Sequence, residues 1–324
     1  LGEQQHIEEV SASAMQDRLR LSTCWNAHRY QDGLIMAGEA KDMGFSGIEI
    51  SHGTPVTLIP GLLKAVQLKV VKVGSLHAPC PAPVEVQGDM PDRYEFTSVR
   101  EEERRRAVSL TVATIEMAAR FGADRIVLHL GRAMGAGGTE KLEAMALDGG
   151  LFGRPYVKEK LAMVGAREKA SVKALELVKR ALDELLPHAE KHGVRIGMET
   201  RSHYEQVPTM QEMEKLMAHY EGCPWIGTWH DFGHVQRQAN LGFLDHRAFL
   251  EMNAPRLVGC HVHDVGWPHK DHQIPFSSGE VDFAGLLPLV PEEVPLVWEM
   301  SPRQKRLKIM EAREEWMRRY GGDL

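Results

Sequence analysis

One feature constrains this chain more than any other: a short β-rich run, a turn and a longer stretch with helical spacing recur along its length. Residues 20–24 (RLSTC), 47–51 (GIEIS), 70–77 (VVKVGSLH), 125–129 (RIVLH), 194–199 (VRIGME), 225–231, 256–261 and 294–299 read as strands. Residues 31–43, 56–66, 101–121, 169–192, 209–220 and 302–320 read as the helices between and after them. The third helix carries Val108, Val112, Ile115, Met117 and Ala118 at helical spacing. Gly193 is a fitting stop for the fourth, and Thr209 with Glu212 three residues on has the spacing of a capping box. Strands alternating with helices predict an α/β fold with a parallel sheet. Eight of them over about 300 residues predict a (β/α)8 TIM barrel, a parallel eight-stranded barrel with outer helices. A doubly wound open sheet is the alternative, but its G-x-G-x-x-G signature after the first strand is missing. We read residues 18–324 as one barrel domain and 1–17 as an N-terminal extension. The Gly-containing stretch 131–160 reads as a long connection, either a lid over a substrate or a surface insertion.

Composition narrows the function classes. The chain has 324 residues, 43% hydrophobic and 26% charged, enough for a sizeable core. No run approaches the apolar length of a membrane span. The first ten residues lack a signal-peptide layout, so a cytoplasmic location is expected; a start at Leu1, not Met, leaves room for a preceding segment. A net charge of −6 argues against nucleic acid and anionic membranes as partners. The four cysteines are scattered and read as reduced thiols.

The sixteen histidines are the unusual feature of this composition, and several close strand-like runs. The third to eighth strands end in His77, His129, Glu199, Asp231, His261 and Glu299. Catalytic groups of such barrels sit at these strand ends. Stepping back two residues reaches Gly197 from Glu199, Trp229 from Asp231, Gly259 from His261, Val297 from Glu299 and Val127 from His129. Those are residues for a packed barrel interior, so each polar residue caps an inward column. Carboxylates and imidazoles converging on one mouth repel and desolvate one another unless a cation joins them. Glu199, Asp231, His261 and Glu299 come from four successive strands and can surround one divalent ion. Three carboxylates and one imidazole form an oxygen-rich set that suits Mn2+ first, with Mg2+, Co2+ or Zn2+ as alternatives. His77, His129, His234 and His272 are expected around it, as substrate contacts in preference to ligands of further metals.

Taken in order, His77-Ala-Pro, His129-Leu-Gly, Met198-Glu199-Thr200, Asp231-Phe-Gly-His234, His261-Val-His-Asp264, His272 before Gly279-Glu280-Val-Asp-Phe283, and Glu299-Met-Ser-Pro302 resemble the xylose-isomerase-like barrel superfamily over roughly residues 18–300. That superfamily includes sugar isomerases and epimerases and endonuclease IV. For sugar isomerases the resemblance implies one metal on Glu199, Asp231, His261 and Glu299, with the two glutamates as proton donor and acceptor. Proton transfer would run through a cis-enediolate held by the metal, and His234 would touch a substrate oxygen. A metal-dependent lyase or hydrolase of a sugar derivative is an alternative on the same residues. Endonuclease IV-like phosphodiesterases imply further metals on His77, His129, His234 and His272, but they expect an acid where Lys270 stands. The expected partner is a small carbohydrate, and dimers or tetramers are common by resemblance. Arg201, His203 and Tyr204 read as contacts to a sugar or as loop residues. Trp25, His28 and His52 read as a wall of the sugar site or as core, and Asp264 as a residue orienting a ligand or an arginine.

Overall fold

The computed structural model describes residues 14–86, 90–135 and 137–322. Eight parallel strands close into a barrel: β1 (Leu19–Ser22), β2 (Gly47–Ile50), β3 (Lys72–His77), β4 (Arg125–Leu128), β5 (Arg195–Glu199), β6 (Ile226–Asp231), β7 (Leu257–Val262) and β10 (Leu296–Trp298). β10 pairs with β7 on one side and β1 on the other, which completes the circle. Closure excludes the open doubly wound sheet. An antiparallel hairpin, β8 (Asp264–Gly266) and β9 (Lys270–Gln273), lies between β7 and β10 and was not foreseen. Among the described residues, no helix is long and apolar enough to cross a membrane.

Burial explains why these runs are strands. β2, β6, β7 and β10 are buried at every position, as parallel strands covered on both faces must be. Inside the barrel, Val127, Trp229, Val258 and Val297 form a small apolar plug, separate from the main core between strands and helices. The plug needs glycine at 259, where a Cβ would stand 2.0 Å from the Trp229 ring. The columns below the polar strand ends are therefore packed, and the polar residues sit above them.

The helix Glu101–Phe121 keeps its foreseen limits, with three glutamates in its first turn and Gly122 at φ +74° after its end. The connection 131–160 differs from the expectation. It holds a helix, Thr139–Leu147, and the first turns of a 39-residue helix, Arg154–His192, that begins well before residue 169. Gly149, Gly150 and Gly153 end before that helix, and Gly165 sits within it facing open space. Leu142, Tyr156 and Met163 form a satellite core that holds the early turns. Thr139–Leu147 and residues 154–160 of the stretch are therefore packed helix.

Arg167 ties that layer to the loop after β5. It is 2% exposed; Nε donates to the Tyr204 carbonyl at 2.7 Å and Nη2 to the Gln206 carbonyl at 2.8 Å. Both terminal nitrogens bind the Glu212 carboxylate, which also accepts the Thr209 N–H of the foreseen capping box at 2.9 Å. Removing one partner strands a buried charge. Arg167→Met should lower stability by about 3–5 kcal/mol in urea unfolding; a loss below about 1 kcal/mol would mean that the pair does not hold this loop.

Candidate metal centre and reaction cavity

Each strand delivers its residue to the same end of the barrel. One donor atom from each of Glu199, Asp231, His261 and Glu299 lies within 4.8 Å of the others. The first three are fully buried and Glu299 is 4% exposed. His261 is the focus: its Nδ1 lies 2.8 Å from Glu199 Oε1, 3.3 Å from Glu299 Oε2 and 3.5 Å from Asp231 Oδ2. Three carboxylates around one nitrogen require a positive charge, either a proton or a cation. Burial opposes a charged His261, but Glu299 and Glu49 outweigh it and hold the imidazole well above its usual range. Burial likewise opposes the ionised forms of Glu199 and Asp231, and neighbouring histidines hold both carboxyls well below theirs. Oxygen-rich donors, mutual distance and burial together fit a divalent cation.

The local sequence explains the Asp231 corner. Asp231 caps the helix Phe232–Asn240, its carboxylate accepting the His234 N–H at 2.7 Å. Gly233 in Asp-Phe-Gly-His is required by contact, since a Cβ there would stand 1.9 Å from the His263 ring. His263 Nε2 in turn donates to Asp231 Oδ1 at 2.9 Å.

The foreseen histidines flank the four donors. His129 Nε2 lies 2.5 Å and His77 Nε2 3.6 Å from Glu199 Oε2. Arg201 Nη1 donates to the same oxygen at 2.9 Å, and its Nη2 donates to Asp92 Oδ2 at 3.0 Å. Burial holds His234 down to about 4, so it is neutral near pH 7. His272 has a left-handed backbone, φ +52°, pinned by Nδ1 donating to the Glu299 carbonyl at 3.0 Å and by its N–H donating to His263 Nδ1 at 2.8 Å. Polar residues His52, Asp92, Ser202, His203, Arg237 and Ser301 line the cavity above, together with Pro91, Met300 and Pro302 as apolar parts.

A family model described as the xylose isomerase-like TIM barrel matches residues 37–320. The chain belongs to that family. Solved structures similar to this xylose isomerase-like barrel include a D-tagatose 3-epimerase-like protein, at 18% identity and TM-score 0.65, covering 94% of this chain and 98% of that one. A 3-keto-D-glucoside 4-epimerase from E. coli, apo form, is 16% identical with TM-score 0.65, covering 93% and 99%. An L-ribulose 3-epimerase is 14% identical with TM-score 0.61, covering 92% and 96%. No curated protein sequence matches the chain.

Other foreseen residues are placed differently. Trp25 is fully buried, its indole N–H donating to the Gln304 carbonyl at 2.9 Å, and it does not line the cavity. His28 lines a neighbouring trough with Pro55 and Val56. Arg201 and His203 face the cavity, whereas Tyr204 stacks on Phe243 at 4.3 Å. Asp264 accepts backbone N–H groups of Val265, Ser278, Gly279 and Val281. It folds the loop after β9, and among the described residues its carboxylate makes no hydrogen bond to an arginine.

Sequence reasoning missed several residues. Asp92, from a short turn before the helix Glu101–Phe121, accepts from His129 Nδ1 at 2.6 Å and had no local signal. Arg237 joins Glu143 to Asp271 across the cavity's far side, at 2.6 and 2.8 Å. Glu49, fully buried in β2, did carry a signal: an acid inside the apolar run GIEI.

Proposed function

We propose that this protein is a divalent-metal-dependent isomerase or epimerase of a small sugar or sugar derivative. The observation that carries the reading is the approach of Glu199 and Glu299, from separate strands, to the same nitrogen of His261 at 2.8 and 3.3 Å. The names of the neighbours support a shared chemistry: in each, the inverted carbon stands next to a carbonyl. A divalent cation on Glu199, Asp231, His261 and Glu299 would polarise such a carbonyl and acidify the neighbouring C–H.

The two glutamates are unequal. Oε2 of Glu199 is engaged by Arg201 and His129, which keep that carboxylate ionised and weakly basic. Among the described residues, the ion pairs of Glu299 are with histidines, His261 at 3.3 Å and His272 at 3.8 Å, and none is with an arginine. Glu299 is therefore the group that removes the proton. Glu199 would then serve the other face of the carbon, fed through His129, whose proton Asp92 holds at Nδ1. Return to the opposite face of the same carbon gives the epimer; return to the adjacent carbon gives the isomer. Neutral His234 hydrogen-bonds a substrate oxygen.

One observation favours a second reading, a phosphodiesterase with several ions: His77, His129 and Glu199, and likewise His234, His263 and His272, lie close enough to share one. Two contacts weigh against it. Arg201 already supplies a positive charge at Glu199 Oε2, and both nitrogens of His263 are engaged.

Deuterium wash-in tests the proposal. With Mn2+ in D2O, ketoses and keto-glycosides should take up deuterium at the carbon beside the carbonyl, read by proton NMR. A panel of both classes without exchange or conversion would contradict it.

A further inference from the structure

Glu49 is a buried acid that the proposed reaction does not use. It sits in β2 between Ser22 of β1 and Ser75 of β3, its partners in the strand register. Ser22 Oγ donates to Oε1 at 3.2 Å and Ser75 Oγ to Oε2 at 2.8 Å. The third contact comes from across the barrel: His261 Nε2 lies 3.1 Å from Glu49 Oε1. All four side chains are 0–1% exposed.

The two nitrogens of His261 therefore face two different acid sets. Nδ1 points at Glu199, Asp231 and Glu299, and Nε2 points at Glu49. A neutral imidazole carries one proton and binds a cation only through the other nitrogen. Both oxygens of Glu49 already accept from serine hydroxyls, so Glu49 meets His261 as an acceptor. Beside Glu49, the proton belongs on Nε2, and the Nδ1 lone pair is left facing the three acids. Glu49 is not a further ligand: it is absent from every group of donors close enough to share one ion among the described residues.

We propose that Glu49 is a positioning residue that fixes the tautomer of His261, keeps Nδ1 free for the cation and increases its basicity, while Ser22 and Ser75 hold Glu49 in register. The inference rests on the metal reading above. A carboxylate behind a ligating histidine contributes about 10–100-fold in metal affinity.

Isothermal titration of the metal-free protein with Mn2+ and Co2+ tests it without reference to turnover. Glu49→Leu should raise Kd about 10–100-fold. Glu49→Gln should recover most of that loss. Its amide oxygen, at the Oε1 position, accepts from both His261 and Ser22, and its NH2 meets the Ser75 hydroxyl, which also accepts. A Leu variant within twofold of wild type overturns the proposal, and so does a Gln variant as weak as the Leu variant, because charge and not the tautomer would then be responsible. If circular dichroism shows the Leu variant unfolded, Ser22→Ala with Ser75→Ala takes its place: Glu49 freed from register should weaken binding, and an unchanged Kd overturns the idea. A wild-type protein that binds neither ion overturns the metal reading itself, whereas tight wild-type binding with an indifferent Leu variant overturns only the role of Glu49.

Discussion

Glu299→Gln should lower kcat by about 10²–10⁴-fold and abolish deuterium wash-in, with the fold retained. Gln keeps the size of the side chain and an oxygen toward the cation, but at neutral pH it takes no proton. Glu299 also allows a cleaner substitution than Glu199, because its ion-pair partners among the described residues are His261 and His272 and not a guanidinium. Its carboxyl is pulled down by His261 and His272 against the effect of burial. Metal content measured beside kcat separates its two roles: bound metal with lost exchange identifies the base, whereas lost metal identifies a ligand. A variant that keeps exchange within tenfold of wild type would remove Glu299 from proton transfer. Glu199→Gln gives no such separation. It would leave Arg201, His129 and His261 facing a neutral amide in a buried site, so lost activity would be mixed with lost stability.

That asymmetry shows what was legible before the structure. Strand ends were readable because side-chain parity is a local rule. Once Trp229 and Asp231 share a face, the apolar member fixes the direction of the polar one. Hence the six foreseen strand-end residues gather at one end of the barrel. The same rule would have found Glu49, since an acid between two isoleucines in a buried strand must face inward. Contacts across the barrel are not local. Nothing near residue 92 says that its carboxylate will meet His129 and Arg201, because that meeting depends on how a proline-rich turn folds back. The stretch 131–160 misled for another reason. Its glycines signal breaks, but the tertiary packing of Tyr156 and Met163, together with the buried Arg167, rewards a continuous helix in spite of Gly165. Trp25 illustrates the limit on aromatic residues: a sugar platform and a core filler have the same sequence signature.

Metal removal should affect the protein in two ways at once. Chelation should abolish turnover, and Mn2+ or Co2+ should restore it. It should also lower Tm, because an ion that binds only the folded chain adds RT ln(1 + [L]/Kd), about 2.7 kcal/mol at a hundred times Kd. The pH dependence follows from His261. Its proton is held well above the usual histidine range by Glu299 and Glu49 against burial, and that proton occupies the nitrogen the cation needs. Protons and metal then compete at Nδ1. Below the His261 pKa, apparent affinity should fall about tenfold for each unit of pH lost, and binding should release one proton there. Stoichiometry by plasma emission distinguishes the two readings of the mouth. One ion per chain agrees with Arg201 serving as the second positive charge at Glu199, whereas three would require Arg201 to leave Glu199 and His263 to give up Asp231. Full activity after exhaustive chelation, with Tm unchanged, would leave four buried acid and imidazole groups with no cation to justify their convergence, and the proposed chemistry would fall with it.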